Sequence, residues 1–476
     1  MKKQLLALLL WGGMAYAQQP VDYVNPFIGT SNFGTTNPGA LCPQGMMSVT
    51  PFNVMGSETN TFDKDKRWWS TPYSSDNDFF TGYAHVNLSG VGCPELGSLL
   101  LMPTSGELKV DYAEYGSRYD KEMSRPGYYS NVLTKYNIMT EVTATPRTGL
   151  ARFTFPEGDG NILLNLGEGL TNESGASVRF VSDTEIEGSK LMGTFCYNPQ
   201  AVFPIYFVMK LDKAPKAKGY WKKQREMAAE AEWDSDAGKY KLYSKYTREM
   251  SGDDIGVWFK YDVEAKEQIQ VKIGVSFVSI GNARENLEKE QPGFAFDQTA
   301  QAAREAWNKD LSRVTVEGGT KDDKSIFYTG LYHLLVHPNI LQDVNGEYPK
   351  MESLEVGKTS ENRYTVFSLW DTYRNVSSLM TLLYPDLQLQ IIHTMIDMYK
   401  ENGWLPKWEL YGRETLTMEG DPSIPYIVDA WMKGLRGFDV NTAYEAMRKG
   451  ATTPGEYNLL RHDANDYFSL GYCPMT

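Results

Sequence analysis

From about residue 21 to 275, apolar and polar positions alternate in short runs such as "YNIMTEVTATPRTGLARFTF", "NILLNLGEG", "PIYFVMKLD" and "IQVKIGVSFVS", with Gly, Pro, Asn and Asp between them. A strand points successive side chains to opposite faces, so this two-residue period marks half-buried antiparallel strands. Frequent turn signals fold them into a β-sandwich. From about residue 282 the period lengthens. "ARENLEKEQ", "DQTAQAAREAWNKDLSRV", "DKSIFYTGLYHLLVHPNI", "PDLQLQIIHTMIDMYKENG", "IPYIVDAWMKGLRG" and "NTAYEAMRKGA" carry apolar residues at i, i+3, i+4 and i+7, the stripe of an amphipathic helix. The predicted architecture is multidomain β and α: an antiparallel β-sandwich over 21 to 275, a helical linker over 276 to 318, and from 319 to 476 helices joined by long loops. Such helices suit an (α/α) toroid, and no fixed-length repeat favours a solenoid.

The first seventeen residues read differently. "MKKQLLALLLWGGMAYA" has a charged start at Lys2 and Lys3, an apolar run and a small-x-small end at Ala15-Tyr16-Ala17, the pattern of a cleaved signal peptide. No Cys follows that end, so a lipid anchor is not expected, and no later run approaches the roughly 18 apolar residues of a membrane span. The expected location is periplasmic or secreted. Cys42, Cys93, Cys196 and Cys473 are too widely spaced for a zinc knuckle, and buried free thiols are expected although the compartment permits a disulfide.

Composition narrows the partner. Of 476 residues 13% are aromatic, with 11 Trp and 30 Tyr, and the net charge is −13. That charge argues against nucleic acid, which selects basic patches. Rings that pack on the C–H face of a sugar, beside carboxylates that accept its hydroxyl protons, suit carbohydrate; a Tyr-rich core fits the same composition. The polar chemistry gathers in three loops between helices. "HPNILQDVNGEYPKM" offers Asn339, Asp343, Asn345 and Glu347. "FSLWDTYRN" offers Trp370, Asp371 and Arg374. "NGWLPKWELYGRETLTMEGDPSIP" offers Trp404, Trp408, Glu409, Arg413, Glu414, Glu419 and Asp421. An ionised group taken from water costs several kcal/mol unless it is paired, so Asp371 within an apolar run needs a reason. It pairs with Arg374 at i,i+3 along a helix, or it meets a ligand. "QDVNGEY" reads as a turn or as part of the same loop cluster, and it lacks the spacing of a calcium-binding EF-hand loop.

"VNPFIGT", "NPGALCPQGMMSVTPFN", "GYAHVNLSGVGCPELG" and the three loops, in this order, resemble glycoside hydrolase family 92. The resemblance runs from about residue 21 to the last residue. It implies an exo-acting, calcium-dependent α-mannosidase with an N-terminal β-sandwich and an (α/α)6 barrel. It further implies inversion, in which one carboxylic acid protonates the leaving oxygen while a carboxylate across the ring activates water. Ca2+ would contact hydroxyls of the terminal mannose. Asp371 and Arg413 match family positions that hydrogen-bond that mannose. A sandwich loop reaching the barrel mouth would bring Trp68 or Trp69, with His85 and Asn87 behind it. The candidate substrate-binding set is Asp371, Arg413, Trp370, Trp69 and Glu414.

The family's general acid, a glutamate in a Glu-Gly-x-x-Trp-Gln type motif, and its base, an aspartate in a Gly-Asn-Asp type motif, have no counterpart in these residues. No catalytic or metal-binding residue is therefore assigned. A twelve-helix ring takes roughly 300 residues and about 160 follow the linker, so an incomplete toroid is expected, with apolar faces on "IIHTMIDMY" and "IVDAWMKGL" left open. The function implied is hydrolysis of terminal α-mannosides, α-1,2 linkages foremost, in N-glycans or mannans. The alternatives are an inactive carbohydrate-binding remnant, or another enzyme of the same architecture such as a disaccharide phosphorylase or a glucosidase. A phosphorylase would need a phosphate-gripping basic or helix-N-terminal site, and none is evident. N-terminal sequencing of the exported protein should begin at or near Gln18, and an intact Met1 would defeat the signal-peptide reading.

Overall fold

The computed structural model describes residues 18–31, 34–57, 59, 70–171, 175–193, 195, 201–224, 240–246 and 248–474. The alternating runs form two antiparallel sheets facing one another. One runs, in spatial order, Ala40–Leu41, Ser48–Phe52, Gly82–Asn87, Leu96–Ser105, Gly158–Asn165, Ile255–Val263, Ala217–Lys223 and Tyr240–Tyr243. The other runs Met250–Gly252, Ala176–Phe180, Glu185–Gly193, Val202–Leu211, Gln268–Ser276, Thr148–Thr154, Ile138–Ala144, Tyr128–Leu133, Ser117–Arg125 and Phe79–Phe80. Alternate residues of each strand fill the space between them: Ile162, Phe259, Phe207 and Ile273 are wholly buried. Gly256 is glycine for lack of room, because a Cβ there would sit 2.0 Å from the Trp221 ring.

The last long strand ends at Ser276, and helices begin at once: Ile280–Glu290, Phe296–Leu311, Lys321–Leu334, Val376–Leu383, Pro385–Asn402, Ser423–Met432 and Val440–Thr452, with short turns of helix at Leu369–Thr372 and Ala464–Leu470. Their ends carry the expected signals. Ser279 caps Asn282, Thr320 and Asp323 form a capping box, and Gly403 takes the left-handed conformation after Asn402. Sandwich followed by helical domain is the predicted fold class, and the helices do not close into a ring. The open apolar faces fall only partly where the sequence places them. Ile391, Ile392, Met395, Ile396 and Met398 are buried, because their helix packs against Val376–Leu383 and Val440–Thr452. In the second run, "IVDAWMKGL", Met432 at 76% and Val428 are exposed, and Leu382 at 74% is exposed on a helix outside both runs. A further departure concerns cysteine: Cys42 is a buried free thiol, but Cys93 is disulfide-bonded.

The two halves share one apolar core. Phe277 at the end of the sandwich stacks on Tyr411 of the helical domain at 4.0 Å, and Phe203 lies 5.0 Å from the same ring. Within this seam sits Asp343. Its carboxylate accepts from Ser276 Oγ at 2.7 Å, Asn282 Nδ2 at 2.9 Å and Asn286 Nδ2 at 2.5 Å. It therefore binds the last strand and the first helix to a loop of the helical domain. "QDVNGEY" is a turn with Gly346 in the left-handed region, and its acid serves the seam rather than a ligand. Asp343→Ala would strand three buried donors, so a loss of about 3 kcal/mol and several degrees of Tm is expected. A double-mutant cycle with Ser276→Ala should show coupling, and independent effects would remove the hub.

Candidate functional site

In "FSLWDTYRN", Phe367 and Leu369 are buried, and Phe367 N–H donates to Glu409 O at 3.0 Å, which fastens the segment to the neighbouring loop. The chain then makes one helical turn, Leu369–Thr372, and turns outward. Asp371 is exposed and accepts from Ser368 Oγ. The i,i+3 ion pair is not formed: Arg374 Nε donates to Tyr373 Oη at 2.9 Å instead, and Arg374 too is exposed. Asp371 thus opens on a cavity of about 250 Å³ at the seam of the two halves. Sandwich residues Ser89, Gly90 and Val91 form one wall. Thr36, His333, His337, Ser368 and Thr372 add polar groups to its lining, with Met380, Ile391 and Tyr426 below. Trp370 is 47% exposed, but it is not among the residues lining this cavity.

Arg413 and Glu414 occupy a two-rung hairpin with Glu409–Leu410, closed through Tyr411 and Gly412, both at positive φ. Glu414 is buried and its carboxylate accepts three backbone amides: Lys407 N at 2.8 Å, Trp408 N at 2.9 Å and Leu416 N at 3.0 Å. Those bonds hold the hairpin and leave no face toward a cavity. Glu409 is wholly buried as well. Its Oε1 accepts from Thr365 Oγ1 at 3.0 Å and Gly412 N at 2.6 Å, its Oε2 has no partner, and burial pushes its carboxyl up to about 8. Arg413 Nε donates to Val202 O at 3.2 Å, and the side chain opens on a smaller cavity of about 110 Å³ with Phe203, Tyr206 and Phe277. Asp371 and Arg413 therefore line separate cavities. Trp69 lies outside the described residues.

His85 is a buried neutral group: its Nδ1 lies 2.8 Å from Leu99 O, and burial holds it down at about 4. Asn87 is likewise committed, to Ser48 and Ala84. A further cavity of about 540 Å³, between the sandwich and the first helices, includes Cys42 and Glu290. Glu290 is spent on Arg147, at 2.8 Å to the guanidinium and 2.9 Å to the backbone N–H, and burial pushes the Cys42 thiol up to about 12. Neither offers chemistry there. Among the described residues no three His, Cys, Asp or Glu side chains converge to hold a metal ion. Of the carboxylates with unpartnered oxygens, Glu95 and Glu409 are fully buried and Asp421 is half-buried, and none of them lines the Asp371 cavity. These residues do not by themselves make a calcium cage. Sequence inspection missed His333 and His337 of the Asp371 cavity, and the only available signal was their four-residue spacing at a helix end.

Residues 23–276 match the glycosyl hydrolase family 92 N-terminal domain and residues 282–476 the glycosyl hydrolase family 92 catalytic domain. The chain belongs to glycosyl hydrolase family 92. This family 92 chain is similar to the GH92 α-mannosidase BT3965 of Bacteroides thetaiotaomicron, at 29% identity and a TM-score of 0.83 over 97% of this chain and 60% of that one. It is also similar to the inverting mannosidase BT2199 of the same organism, at 26% identity and a TM-score of 0.80 over 96% and 59%. An uncharacterized secreted glycosidase of Arthroderma benhamiae is 25% identical over 96% of this chain and 56% of that protein. The chain thus spans less than two thirds of the length of these relatives. The two acids of the loops make opposite predictions. Asp371→Ala should leave Tm within about 1 °C, since an exposed side chain holds nothing else, whereas Glu414→Ala should lower it by several degrees by orphaning three amides. Thermal melts of both decide whether Glu414 is scaffold.

Proposed function

We propose that this chain serves an exo-acting α-mannosidase, gripping the terminal mannose of α-mannosides, α-1,2 linkages foremost, in a calcium-dependent inverting hydrolysis outside the cytoplasm. The observation that carries the reading is the seam cavity: an exposed carboxylate, two imidazoles and several hydroxyls on an apolar floor, in a family 92 chain whose structural relatives are mannosidases. A volume of about 250 Å³ suits one sugar ring. Asp371 would accept from a pair of sugar hydroxyls, Ser368 and Thr372 could donate or accept, and the apolar floor suits the C–H face. The BT3965 enzyme has been solved in complex with mannoimidazole, which makes that compound the natural probe. Trp370 and Trp69 remain in the proposed substrate-binding set and Arg413 would act from a cavity of its own, whereas Glu414, enclosed by three backbone amides, leaves that set as scaffold. Calcium supplies charge to orient sugar hydroxyls and water when bound. With no cage among the described residues, no step is derived through it. Export rests on the signal-peptide pattern, on the name of the secreted relative and on disulfide-bonded Cys93, which suits an oxidising compartment. No helix of the described residues is long and apolar enough to cross a membrane.

One observation favours a second reading, binding without cleavage. Inversion needs two carboxyl groups across the sugar, and among the described residues Asp371 is the one carboxylate in the cavity lining. Titration calorimetry with mannoimidazole, and NMR of α-1,2-mannobiose incubated with the chain in calcium and in chelator, separate the readings. Calcium-dependent release of β-mannose is expected for the first, and binding with no release for the second. Asp371→Ala should weaken binding about tenfold or more in either case. A wild-type chain that neither binds nor cleaves would sink both.

A further inference from the structure

The segment 335–340 is where the helical domain touches the sandwich loops. Gln44 N and Nε2 donate to Leu335 O at 3.0 and 2.9 Å, and Ile340 N donates to Gln44 O at 2.8 Å. Asn339 Nδ2 donates twice, to Gly45 O and Val336 O, both at 2.8 Å. That assignment leaves Asn339 Oδ1 an acceptor, so His337 Nδ1, 2.8 Å away, must carry the hydrogen. His337 Nε2 is then a bare lone pair, and it receives the Ser89 N–H at 3.1 Å across 248 residues of sequence. The network admits one tautomer of one charge state: a second proton would set N–H against N–H.

The Ser89–Val91 loop is anchored on its own domain by Gly90 N to Thr35 O at 3.0 Å and by Asn37 Nδ2 to Leu88 O at 3.0 Å. Its side-chain tie to the helical domain is the Ser89 bond to His337. That loop is the sandwich wall of the Asp371 cavity. We infer that His337 is a positioning residue: as a neutral, Nδ1-protonated imidazole it seats the Ser89–Val91 loop against the helical domain and so sets the shape of the cavity on which Asp371 opens. The consequence for a ligand rests on the reading of that cavity as a sugar pocket; the latch itself does not.

The groups facing this ring within the cavity are His333, whose Nε2 is buried without a partner, and Asp371, with Tyr426 on the floor; no lysine or arginine lines it among the described residues. Burial holds His337 down at about 4 and His333 at about 4. An imidazole lowered from its ordinary 6.5 contributes stability that is complete above that value and is lost as pH falls toward about 4. The loop should therefore release in acid.

Three measurements on the full chain test this. Nitrogen-15 shifts of selectively labelled histidine should show His337 as the Nδ1–H tautomer at pH 7; the Nε2–H tautomer would overturn the proposal without any variant. Hydrogen exchange of the peptide spanning Leu88–Val91 should lose protection about tenfold in His337→Leu, and keep it in His337→Gln, whose amide oxygen can accept in place of Nε2. Wild-type protection should also collapse as pH falls through about 4, with His337→Gln holding at that pH, a difference that a merely space-filling ring would not produce. Equal exchange in wild type and His337→Leu would overturn the latch. For mannoimidazole, His337→Leu should raise Kd about tenfold and His337→Gln about threefold or less. If exchange responds as described while wild type does not bind mannoimidazole, the latch stands and the sugar reading of the cavity falls. If wild type binds and His337→Leu binds equally well, the loop does not shape the pocket and the positioning role is refuted.

Discussion

The arrangement of the two halves depends on a buried carboxylate that touches no solvent-facing chemistry. Asp343 is almost fully buried, and its oxygens meet donors from the last sandwich strand and from the helix that follows. A carboxylate taken out of water is tolerated only when its lone pairs are filled. Burial pushes its pKa up and the three donors pull it back. The directionality of those bonds is what the stacked Phe277 and Tyr411 rings lack, because apolar contact alone lets two faces slide. Seam cavities keep a shape because Asp343 removes that freedom, aided by Arg147, whose Nε donates to Gln342 O at 2.7 Å beside it.

The same device recurs in the loops. Arg363 is buried, bonded to Glu401 at 2.8 Å and set over the Tyr348 ring at 4.7 Å. Glu409 and Glu414 hold the hairpin that carries Arg413 by accepting backbone amides. The two glutamates do what secondary structure does elsewhere, satisfying backbone groups that the short hairpin leaves unpaired. The loops are rich in acids and aromatics largely because irregular backbone at a domain seam needs internal partners.

That explains what could be read from the sequence and what could not. Period two and period 3.6 report which side of an element is buried, so the sandwich, the helices and the turn at Gly346 were legible from pattern alone. Period carries no information about which distant amide a carboxylate will meet. Glu414 and Asp371 look alike in "YGRET" and "WDTYR", yet one is enclosed by three N–H groups from its own loop and the other faces an open cavity. Arg413 was legible as a guanidinium that needs a partner, but its contact with Val202 O spans 211 residues. His337 left only its spacing from His333 at a helix end, since its role depends on Ser89 in the other domain. The family motifs located the loops; which side chains within them face a ligand depends on packing across the seam.

Burial and access pull apart the two properties that a glycosidase acid must combine. A proton donor needs a carboxyl held neutral near working pH, and desolvation is the means by which Glu95 and Glu409 reach about 8. Yet both are enclosed, with their raised values bought by the same packing that bars a substrate. Asp371 has the access and lacks the enclosure. A ligand that filled the cavity would displace water from around Asp371 and from between the Ser89 loop and Thr372, and would itself create the drier setting in which hydrogen bonds from hydroxyls to a carboxylate count for more. The described site is therefore one whose electrostatics are completed by occupancy. On the proposed reading its geometry suits recognition of a sugar, and inverting cleavage would require a second carboxyl brought to the opposite face of the bound ring.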